Sequence, residues 1–167
     1  VYLQEQMKWD KWVLLMGGRY DWATTDNSTL AMTTQKKTKS SQDSKAFTGR
    51  LGLVYLFDNG LAPYVSYSES FQPQSGTGYG GSTFQPTEGK QTEIGIKYQP
   101  PGSNSFITAA IFDLRQTNVP TLDPDASHLC NGSRCQIQDG EVQSRGFELE
   151  GKASLNDNLD IIAAYAY

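Results

Sequence analysis

Hydrophobic and polar residues alternate along eight stretches of the chain, which is the period of β-strands with one apolar face. The alternation is clearest where Ile94, Ile96 and Tyr98 are separated by Gly95 and Lys97. It predicts eight strands, which span Val1–Trp9, Trp12–Trp22, Phe47–Phe57, Leu61–Phe71, Glu88–Tyr98, Phe106–Arg115, Glu141–Ala153 and Leu159–Tyr167.

Short and long links alternate between these stretches. The short links are Asp10-Lys11, Asp58-Asn59-Gly60, Gln99 to Ser103 and Asn156-Asp157-Asn158, and the long polar links are Ala23–Ala46, Gln72–Thr87 and Gln116–Asp139. In an up-and-down antiparallel sheet every second link lies at the same end, so all tight turns share one rim. Short turns on one rim and long loops on the other are typical of bacterial outer-membrane barrels.

The alternation also predicts which face of each strand meets lipid. The sixth stretch begins with apolar residues on both faces, so only its polar end indicates which face meets lipid. Placing Asp113 and Arg115 inward puts Phe106, Ala110, Phe112 and Leu114 on the lipid face and Ile107, Ala109 and Ile111 inward. The expected inward charges have mixed signs, so they either pair with one another or dock another part of the protein: Arg19, Asp21, Arg50, Glu93, Lys97, Asp113, Arg115, Glu148, Glu150 and Lys152.

Composition agrees with a membrane barrel and disfavours two other classes. Only 37% of the residues are hydrophobic and no apolar run is long enough for a transmembrane helix. A barrel strand needs an apolar residue only at every second position. The net charge of −4 is the wrong sign for a nucleic-acid binder, which needs a basic face.

Both cysteines lie in one long link, as Cys130 and Cys135 around Asn131-Gly132. A pair that closes so small a ring predicts a disulfide and an oxidising compartment. Free thiols are an alternative. A metal site with the single histidine, His128, is another, and it would need a fourth ligand such as Asp123 or Asp125.

Several motifs resemble one known family. The stretch from Pro86 to Tyr98 is similar to the barrel signature of TonB-dependent outer-membrane receptors, particularly the ferrichrome and hydroxamate siderophore receptors. Four other stretches match in the right order, so the resemblance covers most of the chain: Gly17–Trp22, Tyr55–Gly60, Tyr64–Phe71 and Ser144–Glu150.

The resemblance implies an all-β, antiparallel, up-and-down transmembrane barrel in the bacterial outer membrane. Residues 1–167 would be eight consecutive strands of a 22-stranded barrel, without the N-terminal plug, the TonB-binding segment and the remaining strands. A chain that begins and ends within a strand fits such a segment. The implied function is TonB-dependent uptake of a ferric siderophore, with iron carried only as cargo and no cofactor or resident metal.

Aromatic residues near the long links are candidate ligand contacts, because hydroxamate siderophores are bulky and partly apolar. They are Tyr20, Trp22, Phe71, Tyr79 and Phe84. The alternative is that these rings form the external aromatic girdle.

The basic run Lys36-Lys37-Thr38-Lys39, together with Lys45, is either a contact for lipopolysaccharide phosphates or a solvated loop.

Two other classes remain to be weighed. A complete eight-stranded barrel with a structural or adhesive role fits the strand count equally well. An enzyme is disfavoured, because no Gly-x-Ser-x-Gly motif occurs and His128 has no evident nucleophile beside it. Glu148 and Glu150 share a face, as an acid/base pair would, but a lining role suits them better.

Overall fold

The computed structural model describes residues 1–31, 35–130, 132–156 and 158–167. In these residues eight strands form one antiparallel sheet, and two further strands of two residues each form a separate hairpin in the last long loop. The bounds are β1 Tyr2–Trp9, β2 Trp12–Ala31, β3 Lys36–Tyr55, β4 Leu61–Gln72, β5 Thr87–Tyr98, β6 Phe106–Leu122, β7 Leu129–Cys130, β8 Ser133–Arg134, β9 Gln136–Asn156 and β10 Leu159–Ala166. The sheet has the order β1-β2-β3-β4-β5-β6-β9-β10, so the expected sequential antiparallel order is confirmed, with β1 and β10 at the two edges.

The short links all lie on one rim. Asp10 has a positive φ of 52° between β1 and β2, and Gly60 has a φ of 89° in the turn before β4. A side chain at Gly60 would collide with the backbone of Gln99 in the next short link, so glycine is required there. Lys11 and Asp58 join the first two turns through an ion pair of 2.6 Å. The predicted turn at Asn156-Asp157-Asn158 includes Asp157, which lies outside the described residues.

One of the three predicted long loops is largely strand, and another is partly strand. β2 continues to Ala31 and β3 begins at Lys36, so most of the predicted link Ala23–Ala46 is a paired hairpin; Met32 to Thr34 lie outside the described residues. Likewise β6 continues to Leu122 and β9 begins at Gln136. The prediction was wrong here because these extensions are polar on both faces, so the hydrophobic alternation stops before the backbone ladder does. Residues 73–86 do form a loop, with one 3₁₀ turn at Tyr79–Gly81.

One face of the sheet carries a continuous apolar band. Residues directly opposite in a ladder share a face, and the register places Val65 opposite Ile94, Ile94 opposite Ile111 and Ile111 opposite Phe147. These side chains are not covered by protein: Ile94 is 55% exposed and Ile111 59%. Among the described residues only Phe84 and Cys135 are buried hydrophobic side chains. An apolar face without protein cover is what a membrane wall requires.

The register corrects the predicted orientation of β6. Ile107, Ala109 and Ile111 share the outer face with Ile94 and Ile96, whereas Phe106, Ala110, Phe112 and Leu114 point inward. Asp113 and Arg115 consequently lie on the outer face, where Asp113 pairs with Arg145 across β9 at 2.9 Å. The prediction failed because it treated charge as a sign of the interior. These charges stand beyond the apolar band, at the end of β6 nearer the long loops.

Candidate functional site

The inner face of the wall is a polar surface with ordered contacts. The Tyr64 hydroxyl donates to Glu93 Oε1 at 2.6 Å, and Gln91 Nε2 donates to Glu93 Oε2 at 3.2 Å. The Tyr64 ring lies against Gly95, where an added Cβ would come within 2.5 Å of Tyr64 Cζ. Arg50 shares this face, as do Glu148, Glu150 and Lys152. The expected inward charges are thus confirmed, apart from Asp113 and Arg115.

Apolar side chains interrupt this polar surface. Phe106, Phe112 and Leu114 point inward from β6, and the ammonium of Lys97 lies 4.6 Å from the centre of the Phe106 ring. Phe112 packs on Gly146 of β9, where a Cβ would approach the ring to 3.0 Å. The inner wall therefore offers a mixed apolar and charged surface, which can bind a protein element that has both kinds of group.

At the long-loop end, residues 73–86 form a strap that is tied to the strands on both sides. Gln42 Nε2 of β3 donates to the Phe84 carbonyl at 2.5 Å. On the other side, the Gln138 carboxamide of β9 accepts from Gln85 N at 2.5 Å and donates to Gln85 O at 2.6 Å. Asn118, which has a positive φ of 56°, donates to the Pro86 carbonyl at 3.1 Å. The strap is therefore fixed by side-chain amides.

The loop between β6 and β9 is organised around the Asp123 carboxylate, which is almost fully buried. His128 Nδ1 lies 2.8 Å from Asp123 Oδ2, and Asp125 N donates to Asp123 Oδ1 at 2.9 Å. The hydrogen bond with His128, supported by the Asp125 amide, holds the pKa of Asp123 below its usual range. Arg134 donates to the backbone carbonyls of Asp123 and Pro124.

A disulfide closes the same loop. Cys130 and Cys135 are bonded at an S–S distance of 2.05 Å, and Cys135 is 1% exposed. The ring between them contains Asn131, which lies outside the described residues. Because both sulfurs are bonded to each other, the alternatives of free thiols and of a thiolate metal site do not apply to this structure. In the part of the chain that the structure describes, no group of three or more His, Cys, Asp or Glu side chains is arranged to hold a metal.

The two loops touch through a stacked ring pair. Tyr79 of the strap lies parallel to His128, with ring centres 3.7 Å apart and an interplanar angle of 8°. His128 thus contacts the Tyr79 ring through its face, and its ring nitrogens lie near the carboxylates of Asp123 and Asp125, the second of these at 3.5 Å from Nε2. The strap and the loop between β6 and β9, which together form the external rim, are therefore one connected structure.

The candidate ligand residues separate into two groups. Tyr20 and Trp22 lie on the outer face of β2 with ring centres 4.6 Å apart, and Phe71 lies on the outer face of β4. That position matches the girdle alternative. Tyr79 and Phe84 belong to the strap, where Tyr79 is exposed and Phe84 is buried. The five rings do not form one site.

Several residues that build the rim were not predicted from the sequence. Gln42, Asn118 and Gln138 are polar residues in polar segments, and nothing in the local pattern distinguishes them from solvated neighbours. A signal existed only for His128, which is the single histidine and lies two residues before Cys130.

Comparison with known proteins identifies the relatives of this wall. The family described as "TonB dependent receptor-like, beta-barrel" matches residues 1–167. The ferrichrome outer membrane transporter/phage receptor of Escherichia coli is 43% identical over 168 residues, which is 100% of this chain and 21% of that protein. The ferrioxamine B receptor of Salmonella typhimurium is 41% identical, over 99% of this chain and 22% of its own length. The chain therefore spans about a fifth of the relatives it matches.

Solved structures show the same fold. The alcaligin outer membrane receptor FauA from Bordetella pertussis superimposes with a TM-score of 0.70 at 23% identity, over 99% of this chain and 28% of that one. The ferripyoverdine receptor of Pseudomonas aeruginosa, solved with ferripyoverdine, gives a TM-score of 0.73 at 21% identity, over 99% of this chain and 22% of that one.

Proposed function

The chain belongs to the TonB-dependent receptor β-barrel family of the bacterial outer membrane, and from this premise we propose that its parent protein imports a ferric siderophore of the hydroxamate type. The observation that carries the proposal is the match over the whole chain to receptors named for ferrichrome and ferrioxamine. These relatives are receptors and transporters rather than enzymes.

The proposed parent is a 22-stranded barrel in which these eight strands form one part of the wall and a plug fills the interior. The inner face supports this arrangement, because the aromatic rings of Phe106 and Phe112 lie beside Lys97, Glu148 and Glu150. A surface that contacted only water would not need these aromatic rings. A plug with apolar and charged side chains would cover it. TonB would act on the plug through a segment outside residues 1–167.

Lipopolysaccharide is the proposed lipid partner at the external side. Lys37, Lys39 and Lys45 lie on the outer face of β3, on the same side as Tyr20 and Trp22 of β2; the side chains of Lys36 and Thr38 lie outside the described ones. Cations next to an aromatic girdle are positioned for anionic headgroups. Replacing Lys39 and Lys45 by Glu should lower the lipopolysaccharide retained by the purified parent, measured by native mass spectrometry. The inward Lys8→Glu is the control, and equal retention in both would contradict this contact.

A complete small barrel is the competing structure, and the sheet disfavours it. Closure would need β1 to pair with β10, whereas in the described structure the two strands are opposite edges of the sheet. An edge with unpaired backbone groups is not tolerated in lipid. Further strands of the parent would satisfy both edges.

The proposal is tested by growth on ferric siderophores as sole iron source, in strains that carry or lack the parent gene. We expect gene-dependent growth on a ferric hydroxamate. Gene-dependent growth on haem or cobalamin alone would keep the transport class and reject the hydroxamate ligand. No gene-dependent uptake of any of these compounds would reject transport.

A further inference from the structure

The ladder between β3 and β4 stops before either strand ends. Toward the external side β3 continues to Lys36 and β4 to Gln72, but in the described structure the two strands pair only between Arg50–Val54 and Tyr64–Ser68. At the same height β3 stays paired with β2, and β4 stays paired with β5. The sheet therefore divides at its external end along one line, which we call the open seam: residues 44–49 of β3 and 69–72 of β4.

The side chain of Glu69 lies at the point where the seam opens. The Gly49 N–H donates to Glu69 Oε2 at 3.1 Å, and the Tyr67 hydroxyl donates to Glu69 Oε1 at 2.9 Å. If the register of Arg50 opposite Ser68 continued, the Gly49 N–H would donate to the backbone carbonyl of Glu69 instead. The carboxylate therefore accepts from the donor that the ladder needs for its next hydrogen bond.

Peptide groups of β3 beyond Glu69 are directed into the open seam. The N–H of Phe57, just after β3, donates to the carbonyl of Leu61 in β4. Peptide groups alternate in direction along a strand, so those of the odd-numbered residues of β3 face β4. An unchanged register would place Phe47 opposite Phe71. A longer ladder is therefore available to the two strands without any slip.

An opening of about 420 Å³ accompanies the open seam. Its lining includes Arg19 and Asp21 from the inner face of the sheet and Trp22 and Phe71 from the outer face. Because residues of both faces line it, the opening passes through the wall. Lipid cannot supply partners for unpaired peptide groups. Such an opening is therefore compatible with the sheet only above the apolar band, at the level of the external girdle.

The part of the β2–β3 hairpin beyond the seam is bonded to the strap instead of to β4. We call residues 22–31 and 36–49 the arm. Gln42 of the arm donates to the Phe84 carbonyl of the strap. The Phe47 ring leans toward β2, where a Cβ added to Gly18 would approach its Cζ to 3.0 Å. The position of the arm is therefore set by the strap and by β2.

We infer that Glu69 is a stop built into the β3–β4 ladder, which releases the arm from β4 and lets it move with the strap. The external end of the wall then has two arrangements. In the open one, the Glu69 side chain accepts from the Gly49 N–H. In the closed one, this side chain turns away, the ladder continues to Phe47 and Phe71, and the opening through the wall is shut. The inference concerns a movement of the wall and does not depend on which compound the parent transports.

Disulfide trapping in the intact parent receptor measures how often the seam closes. Thr48→Cys with Ser70→Cys is the reporter pair, because the continued register places these residues directly opposite each other. A disulfide needs Cα atoms within about 7 Å, which only the closed arrangement provides. Gly52→Cys with Ser66→Cys is the reference pair inside the existing ladder, where a Cβ at Gly52 has ordinary van der Waals space. Heat-modifiable migration verifies that each variant is a folded barrel, and mass spectrometry of unreduced peptides measures the rate of crosslinking under mild oxidation.

With Glu69 in place, the reporter pair should crosslink at least about tenfold more slowly than the reference pair, because its Cα atoms are too far apart. Glu69→Val should raise the reporter rate about tenfold or more, since a hydrogen bond to a charged group can shift an equilibrium by that factor. Glu69→Gln should stay within about twofold of the wild-type rate, because its carboxamide oxygen can still accept from the Gly49 N–H. Glu88→Val is the matched control and should also stay within about twofold. Glu88 is an exposed carboxylate on the outer face of β5, paired with β4 and β6 on both sides.

Gln42→Ala tests the bond between the arm and the strap. Without this side chain the arm is free to approach β4, so the reporter rate should rise about threefold or more. If Glu69→Val leaves the reporter rate at the wild-type value, or if the reporter pair already crosslinks as fast as the reference pair, Glu69 is not a stop. If Gln42→Ala leaves the rate unchanged, the strap does not hold the arm away from β4, and the coupled movement is wrong.

Discussion

The wall and the external rim of this protein are built on opposite rules. In the wall, apolar side chains such as Ile94 and Ile111 are more than half exposed. In the rim, Phe84, Cys135 and Asp123 are each less than a tenth exposed. The wall leaves its apolar face for lipid, while the rim follows the rules of a protein in water and buries an aromatic ring, a disulfide and a hydrogen-bonded carboxylate. A single strand of this chain thus contacts lipid along one part and water along another.

This contrast explains where the stability of each region comes from. The wall has continuous backbone ladders, which supply hydrogen-bond partners for its backbone N–H and C=O groups, because lipid cannot supply them. It has no hydrophobic core of its own among the described residues. The rim replaces ladders by side-chain amides such as Gln138 and by the bond between Cys130 and Cys135. Different kinds of substitution should therefore destabilise the two regions.

The largest effect is expected for a charge on the lipid face. Ile111→Arg should destabilise the barrel by about 2–4 kcal/mol, since it places a cation in the apolar band. Thr108→Arg is the control on the inner face of the same strand, opposite Glu150, and should cost much less. Urea unfolding of the parent in lipid vesicles measures both. Equal losses of unfolding free energy in the two variants would contradict the assignment of Ile111 to the lipid face of β6.

A smaller loss is expected where the inner wall is tightly packed. Alternation alone predicts that Gly95→Ser is cheap because it faces inward, but the Tyr64 ring occupies that space. The serine should cost about 1–3 kcal/mol by displacing the ring from Glu93. The double variant with Tyr64→Ala should recover part of the loss caused by the serine. If Gly95→Ser is neutral in the same unfolding assay, this packing is not important.

Loss of the disulfide should affect the rim and leave the wall intact. The bond closes a short ring, for which the chain-entropy account gives about 2 kcal/mol. Replacing Cys130 and Cys135 by Ser should speed proteolytic cleavage between residues 123 and 135 without changing heat-modifiable migration of the barrel. Mass spectrometry of unreduced protein should first show that the wild-type peptide lacks two hydrogens. Free alkylation of both thiols would contradict the bond.

The smallest effect concerns pH. Folding lowers the pKa of Asp123 through its hydrogen bonds with His128 and the Asp125 amide. The resulting stabilisation is complete above the pKa of an unfolded aspartate, about 3.9, and disappears as the pH falls through the lower folded value. The N–H of Cys135 donates to His128 O at 2.9 Å, and its protection from exchange, relative to the intrinsic exchange rate at each pH, should fall below about pH 4. In Asp123→Asn this loss of protection should be absent, and a pH profile of protection like that of the wild type in this variant would exclude Asp123 as the cause.

The sequence predicted the wall better than the rim, for a physical reason. Contact with lipid requires an apolar residue at every second position. The alternation around Ile94 and Ile96 therefore indicates both that this stretch is a strand and which of its faces meets lipid. Beyond the membrane both faces of β2 and β3 meet water, and the ladder from Trp22 to Ala31 leaves no hydrophobic pattern. The orientation of β6 needed the register with β5, which is a tertiary fact. The contacts of Gln42, Gln138 and His128 depend on loops that meet only in the folded protein.

The outward orientation of β6 tests the account most directly, because it separates the lipid-facing wall from the interior at one strand. A single cysteine is introduced at Ile111 or at Phe112 of the parent, labelled with a fluorophore and reconstituted in vesicles that contain brominated lipid. We predict strong quenching for the label at residue 111 and little for the label at residue 112. The reverse order would contradict the assignment of the two faces, and equal weak quenching at both residues would contradict the membrane wall itself.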